Sequence, residues 1–119
     1  LQYGDTFAQR ETLQKQTGIE IIHDETVDQL ANLDAFAAQV AAMDMVVSIS
    51  NTTAHMAGAL GVPTWVLLSE VPLWRWFQDR TDSPWYPSVQ LFRQRRSGGW
   101  SEVLSEVAAA LRDWLATKT

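Results

Sequence analysis

The sequence contains no cysteine, so it can build no disulfide framework and offers no thiolate chemistry. It has no apolar run near the roughly 20 residues that a membrane-spanning helix requires, and no signal-peptide pattern. Basic residues are scarce, with 9 Lys and Arg against 14 Asp and Glu and a net charge of −5. That balance argues against sequence-independent binding to nucleic acid, which needs a basic surface, and gives no support to docking on an anionic membrane. Three familiar signatures are also missing: the GxGxxG fingerprint, the P-loop glycine-lysine motif and a Ser-His-Asp order. No complete dehydrogenase, nucleotide-hydrolase or serine-hydrolase site is therefore legible. Repeats and low-complexity stretches are absent as well. These absences fit a reducing, cytoplasmic setting with no metal and no resident cofactor.

What is present is a globular composition. Hydrophobic residues make up 46% and charged residues 19% of the 119, enough for one core and a single domain over 1–119. Leu1-Gln2-Tyr3 reads as the end of a strand with Gly4-Asp5 as its exit, so the chain is expected to be a piece of a longer protein. Thr6 and Gln9 have capping-box spacing ahead of a weak surface helix that Gly18 ends. The β-branched run Ile19-Glu20-Ile21-Ile22 predicts a strand. Leu33, Phe36, Ala37, Val40 and Met43 follow a helical period, giving a helix over 33–43. Met45–Ile49 lacks alternation and predicts a strand buried on both faces, as in parallel sheets.

A small-residue helix over 51–60 comes next, ended by Gly61 and Pro63, and then a second buried strand over 64–68. Residues 69–87 carry Trp74, Trp76, Trp85 and three prolines, and read as a packed loop with a short helix near 73–78. A last strand over 89–92, a turn over 93–99 and a helix capped by Ser101 complete the chain. The core face of that helix is predicted to be Leu104, Val107, Ala108, Leu111 and Leu115. Alternating strands and helices imply an α/β fold, a Rossmann-like parallel sheet with helices on both faces.

In open α/β sheets, ligands lie beyond the carboxyl ends of the strands. The exits near Gln2 and His23 qualify, but the exit at Ser50-Asn51-Thr52-Thr53 is the most telling. There a buried strand enters a helix through small polar residues. The first helical N–H groups have no internal partner and the helix dipole adds partial positive charge, so a diphosphate suits the turn. The same residue types also favour plain helix capping. His55 lies one turn into the helix on the same side as Asn51 and Thr52. Arg75, between Trp74 and Trp76, is suited to pairing with phosphate or carboxylate, and the indoles to stacking on a base or sugar, or to a small core under the loop. His23, Asp24 and Glu25 point in alternating directions on an extended chain and read as a solvated loop rather than a metal site. The run Arg93–Arg96 reads as a solvated turn.

Residues 44–63, from Asp44-Met45-Val46-Val47-Ser48 through Ser50-Asn51-Thr52-Thr53-Ala54-His55 to Gly61-Val62-Pro63, resemble the nucleotide-sugar-binding segment of heptosyltransferase-type glycosyltransferases. Residues 71–76 and 82–87 are similar to the subgroup fused to tetratricopeptide repeats, and more distantly to the O-GlcNAc transferase type. The resemblance implies the C-terminal half of a GT-B fold without its first strand. It implies transfer of a sugar, with inversion, from a nucleotide-sugar donor that is a substrate rather than a cofactor. In that pattern Ser50 stands at the family's Asp, Asn51 at its Thr, Thr52 at its Gly and His55 at its His. Asn51-Thr52-Thr53 is closer to the His-Thr-Thr of the O-GlcNAc transferase type. The donor-binding set implied is Ser50, Asn51, Thr52, Thr53, His55, Gln2 and Arg75, with the catalytic base on a separate N-terminal domain. By this reading the isolated piece is inactive and its partners are the nucleotide-sugar and that other domain. Open sheet edges would favour self-association. The alternative is a non-catalytic α/β interaction module that keeps the fold without tight nucleotide binding.

Overall fold

The computed structural model describes residues 6–96 and 98–118. They form two units, the first ending at Ala42 and the second beginning at Met43. The first unit holds two helices, α1 (Phe7–Thr17) and α2 (Leu33–Ala41). α1 buries none of its residues, as its polar sequence predicts. The expected capping box does not form: the Thr6 side chain accepts no backbone N–H, and its hydroxyl instead takes a 3.1 Å hydrogen bond from Arg10 Nε. Gly18 does end the helix, at φ 72°, a left-handed conformation that only glycine adopts without cost.

The strand expected at Ile19–Ile22 is not one. A strand exists by pairing its backbone with a neighbour, and among the described residues this run has none; its isoleucines lie exposed. α2 is capped by Asn32, whose side-chain oxygen accepts from Ala35 N at 3.0 Å. It ends two residues before the predicted Met43 and buries Phe36 and Val40 completely, while Leu33 and Met43 stay exposed.

The second unit is a three-stranded parallel sheet in the order β1 (Val46–Ile49), β2 (Thr64–Leu68), β3 (Val89–Arg93). Val46 lies opposite Thr64, and Thr64 opposite Val89. α3 (Thr52–Ala59) connects β1 to β2, and α4 (Trp100–Ala116) follows β3. Every side chain of β2 is buried, which is why Thr64-Trp65-Val66-Leu67-Leu68 reads as a continuous apolar run. On one face Ala54 of α3 packs with Val66, Leu68, Val89 and Leu91. On the other, Val103 and Val107 of α4 pack with Trp65, Leu67 and Phe92. This is the predicted Rossmann-like α/β arrangement.

Three expectations are corrected here. β1 is not buried on both faces: Val47 is 48% and Ile49 59% exposed. Among the described residues β1 pairs with β2 alone, and the α4 cluster reaches β2 and β3 but leaves these two residues open. α4 begins at Trp100 with Gly99 at its cap, not at a Ser101 cap. Its inner stripe is Val103, Val107, Ala110, Leu111 and Trp114, so Leu104 and Leu115 face out.

The loop between β2 and β3 carries a 3₁₀ turn at Trp74–Trp76 and is fastened to β3. Leu91 N donates to Thr81 O at 2.7 Å, and Asp82 forms an antiparallel bridge with Gln90. Arg93, expected in a solvated turn, is the last residue of β3. Its guanidinium donates to three loop carbonyls: Arg80 O at 2.9 Å, Phe77 O at 2.9 Å, and Trp76 O. Desolvation lowers its pKa, against the opposing charge of Asp79. Phe77 sits at φ 58°, a conformation costing about 1–3 kcal/mol for a bulky residue, and one of those bonds holds it there.

Arg93→Met keeps most of the aliphatic stem and removes all three donors. The expected loss is about 1–3 kcal/mol, read as a lower urea midpoint at unchanged m value.

Candidate functional site

The strand-to-helix turn at the end of β1 takes the form its sequence predicts. Asn51 caps α3 with extended backbone, and its Oδ1 accepts from Ala54 N at 3.2 Å and from the Ser48 hydroxyl at 3.0 Å. Ser50 and Thr52 lie at the mouth, Ser50 half-buried and Thr52 exposed, whereas Thr53 is buried. Of the implied donor-binding residues, Gln2 lies outside the described residues.

The structure brings Ser50, His55 and Arg75 together through two aromatic side chains. Trp76 Nε1 donates to Ser50 Oγ at 2.9 Å while its ring, 1% exposed, fills the core on the α3 face. The His55 imidazole stacks on that indole, with centroids 5.1 Å apart and planes 20° from parallel. Its Nδ1 lies 3.0 Å from the Tyr86 hydroxyl and its Nε2 3.4 Å from Arg75 Nη1. Arg75 also sits over the exposed ring of Trp74, and its carbonyl accepts from Trp85 Nε1 at 2.8 Å. Among the described residues no carboxylate pairs with this guanidinium. The turn thus has at its mouth a cation that no carboxylate among the described residues neutralises.

His55 is partly desolvated, and the Arg75 charge is close. Both effects, burial first, hold its pKa below the ordinary histidine range, so the imidazole is neutral at pH 7. Beside Ser50, at the carboxyl ends of β1 and β2, lies an open cavity of about 350 Å³ whose lining includes Ile49, Leu67, Ser69, Leu73 and Trp100.

Tyr86 escapes the sequence reading altogether. Its position depends on two small residues. Ser83 Oγ accepts from Trp85 N and Tyr86 N at 3.1 and 3.3 Å, which turns the chain so that the phenol lies on α3. Gly58, one turn after His55, leaves room for the ring: a Cβ there would lie 2.6 Å from Tyr86 Cγ. A glycine inside a small-residue helix is the signal that something large packs on that face. The other polar clusters serve local structure. Asp24 folds back on the Thr26 hydroxyl and N–H, which lower its pKa, and Arg95 and Arg96 form ion pairs with Glu106 and Glu102 of α4.

Protein FlbA of Caulobacter vibrioides is 39% identical to this chain over 118 residues. The match covers 98% of this chain, which spans 19% of that protein's length. No family model matches the chain, and no solved structure matches it.

Two outcomes follow from this geometry. Gly58→Ala must push Tyr86 off α3, with an expected cost of about 1–3 kcal/mol in unfolding free energy. The His55 pKa is lowered on folding, so the unfolded chain binds the extra proton and stability rises with pH. Its contribution is present above the unfolded value near 6.5 and lost as pH falls through the folded value. Urea midpoints measured from pH 7.5 downward should decline first in this window, above the range where Asp24, Asp28 and Asp82 titrate, and His55→Phe should flatten that step.

Proposed function

We propose that this chain is the donor-binding domain of an inverting glycosyltransferase, holding the diphosphate of a nucleotide-sugar at the Ser50–His55 turn. The observation that carries the reading is the gathering of Arg75 and neutral His55 at a helix N-terminus on the carboxyl edge of a parallel sheet. Helical N–H groups and the helix dipole meet the anion from one side, and the guanidinium from the other. Ser50 and Thr52 add hydroxyls at the mouth. Trp74, 74% exposed, and Trp85, 53% exposed, flank Arg75 and offer flat surfaces for the sugar or base. The resemblance of residues 44–63 and 70–87 to heptosyltransferase-type enzymes supplies the reaction class, and by it the catalytic base lies on another domain of the full protein.

A second reading is favoured by one observation. Asn51 Oδ1 is occupied by the helix cap and Thr53 is buried, so two of the turn's polar side chains serve the fold itself. This would suit an α/β interaction module without tight nucleotide binding.

Calorimetric titration with nucleoside diphosphates and with UDP- and ADP-sugars separates the two. The donor-binding reading expects saturable binding that Arg75→Ala weakens about tenfold or more, the scale of one charge-assisted hydrogen bond. No heat at millimolar nucleotide would leave the interaction module standing.

A further inference from the structure

We infer that Tyr86 and His55 form a neutral positioning pair that holds the Arg75 guanidinium at the mouth of the β1–α3 turn. The inference rests on the anion-site reading for its purpose, but its geometry stands apart from any ligand. An arginine side chain has five N–H donors and no acceptor. The contact between Arg75 Nη1 and His55 Nε2 is therefore a hydrogen bond only if Nε2 offers its lone pair. A neutral imidazole with a bare Nε2 carries its proton on Nδ1. That proton has an acceptor in place, the Tyr86 hydroxyl oxygen at 3.0 Å. The phenol thus selects the tautomer, and the tautomer makes the histidine a hook for the cation.

Every other contact of the ring is consistent with a fixed, uncharged hook. The indole of Trp76 beneath it sets its plane, and the Tyr86 ring meets it edge-on at 5.7 Å. Gly58 provides the space that lets the phenol reach Nδ1. The groups facing His55 are Arg75, Tyr86, Trp76 and, through the indole N–H, Ser50. No carboxylate among the described residues stabilises a charged imidazolium there, and burial opposes one. His55 thus acts on an anion through Arg75, not through a charge of its own. An anion arriving at the turn exchanges partners with Nε2: the guanidinium turns from the neutral nitrogen to the stronger, charged acceptor.

The test is long-range proton–nitrogen NMR on the ligand-free 119-residue chain, followed by titration with inorganic pyrophosphate. Wild type should show Nδ1 as the protonated nitrogen of His55 and Nε2 as the bare one. Tyr86→Phe keeps the ring over Gly58 but removes the acceptor. Its His55 should move toward the Nε2–H form, and its pyrophosphate affinity should fall about threefold to tenfold, the scale of one hydrogen bond. An Nε2–H imidazole in wild type would overturn the pairing whatever the chain binds. So would a Tyr86→Phe variant that binds pyrophosphate as wild type does. If wild type shows Nδ1–H and yet binds no pyrophosphate, the pairing stands and the anion-site reading alone fails.

Discussion

The Trp76 indole joins the two halves of the second unit's architecture. Its ring completes the apolar layer formed by Ala54, Val66, Leu68, Val89 and Leu91, and its N–H reaches out of that layer to Ser50. A buried indole N–H without a partner would be costly, so the ring can occupy the core only while Ser50 accepts from it. The partner therefore fixes where the long loop after β2 crosses the end of β1. His55 then lies flat on the same ring, and Arg75, the preceding residue, is delivered beside it. One aromatic side chain sets both the packing of the sheet and the placement of the cation.

The loop that carries Trp76 would not hold this path by itself. It contains a bulky residue at positive φ and has three tryptophans within twelve residues, two of them exposed. Its order comes from β3, through the carbonyls that Arg93 gathers and the backbone bond from Leu91 to Thr81. The site is thus braced from two directions, by the core through Trp76 and by the far strand through Arg93. Exposed ion pairs such as Arg80 with Asp82 add little to this, because solvent screens them.

Much of this was legible from residue pattern. Val66, Leu67 and Leu68 announce a strand covered on both faces; Asn51 announces a cap; Gly61 and Pro63 announce the end of α3. What pattern could not supply was partnership. Ile19–Ile22 has the composition of a strand, but composition does not create a neighbour to pair with. Val47 and Ile49 look like core residues because they are β-branched, yet their burial depends on whether a helix covers that end of the sheet. The inner face of α4 is shifted from the expected one because Val103 and Trp114, rather than Leu104 and Leu115, complete the stripe that packs on the sheet. At the candidate site, Ser50, His55 and Arg75 were visible as chemistry, while Tyr86 and Arg93 were not. Their roles arise from contacts 31 and 13 to 17 residues away in sequence, which no local spacing records.

The covering of β3 by Thr81 and Asp82 gives the sheet a polarity of growth. With Gln90 and Leu91 engaged in this way, the outer border of β1 is, within the second unit's described strands, the longer stretch of backbone that a further strand could pair with. A parallel strand added there would run past Val47 and Ile49 and end beside Ser50. Extending the sheet and enclosing the mouth of the turn would then be one event, and whatever segment docks on that border would also become a wall of the site.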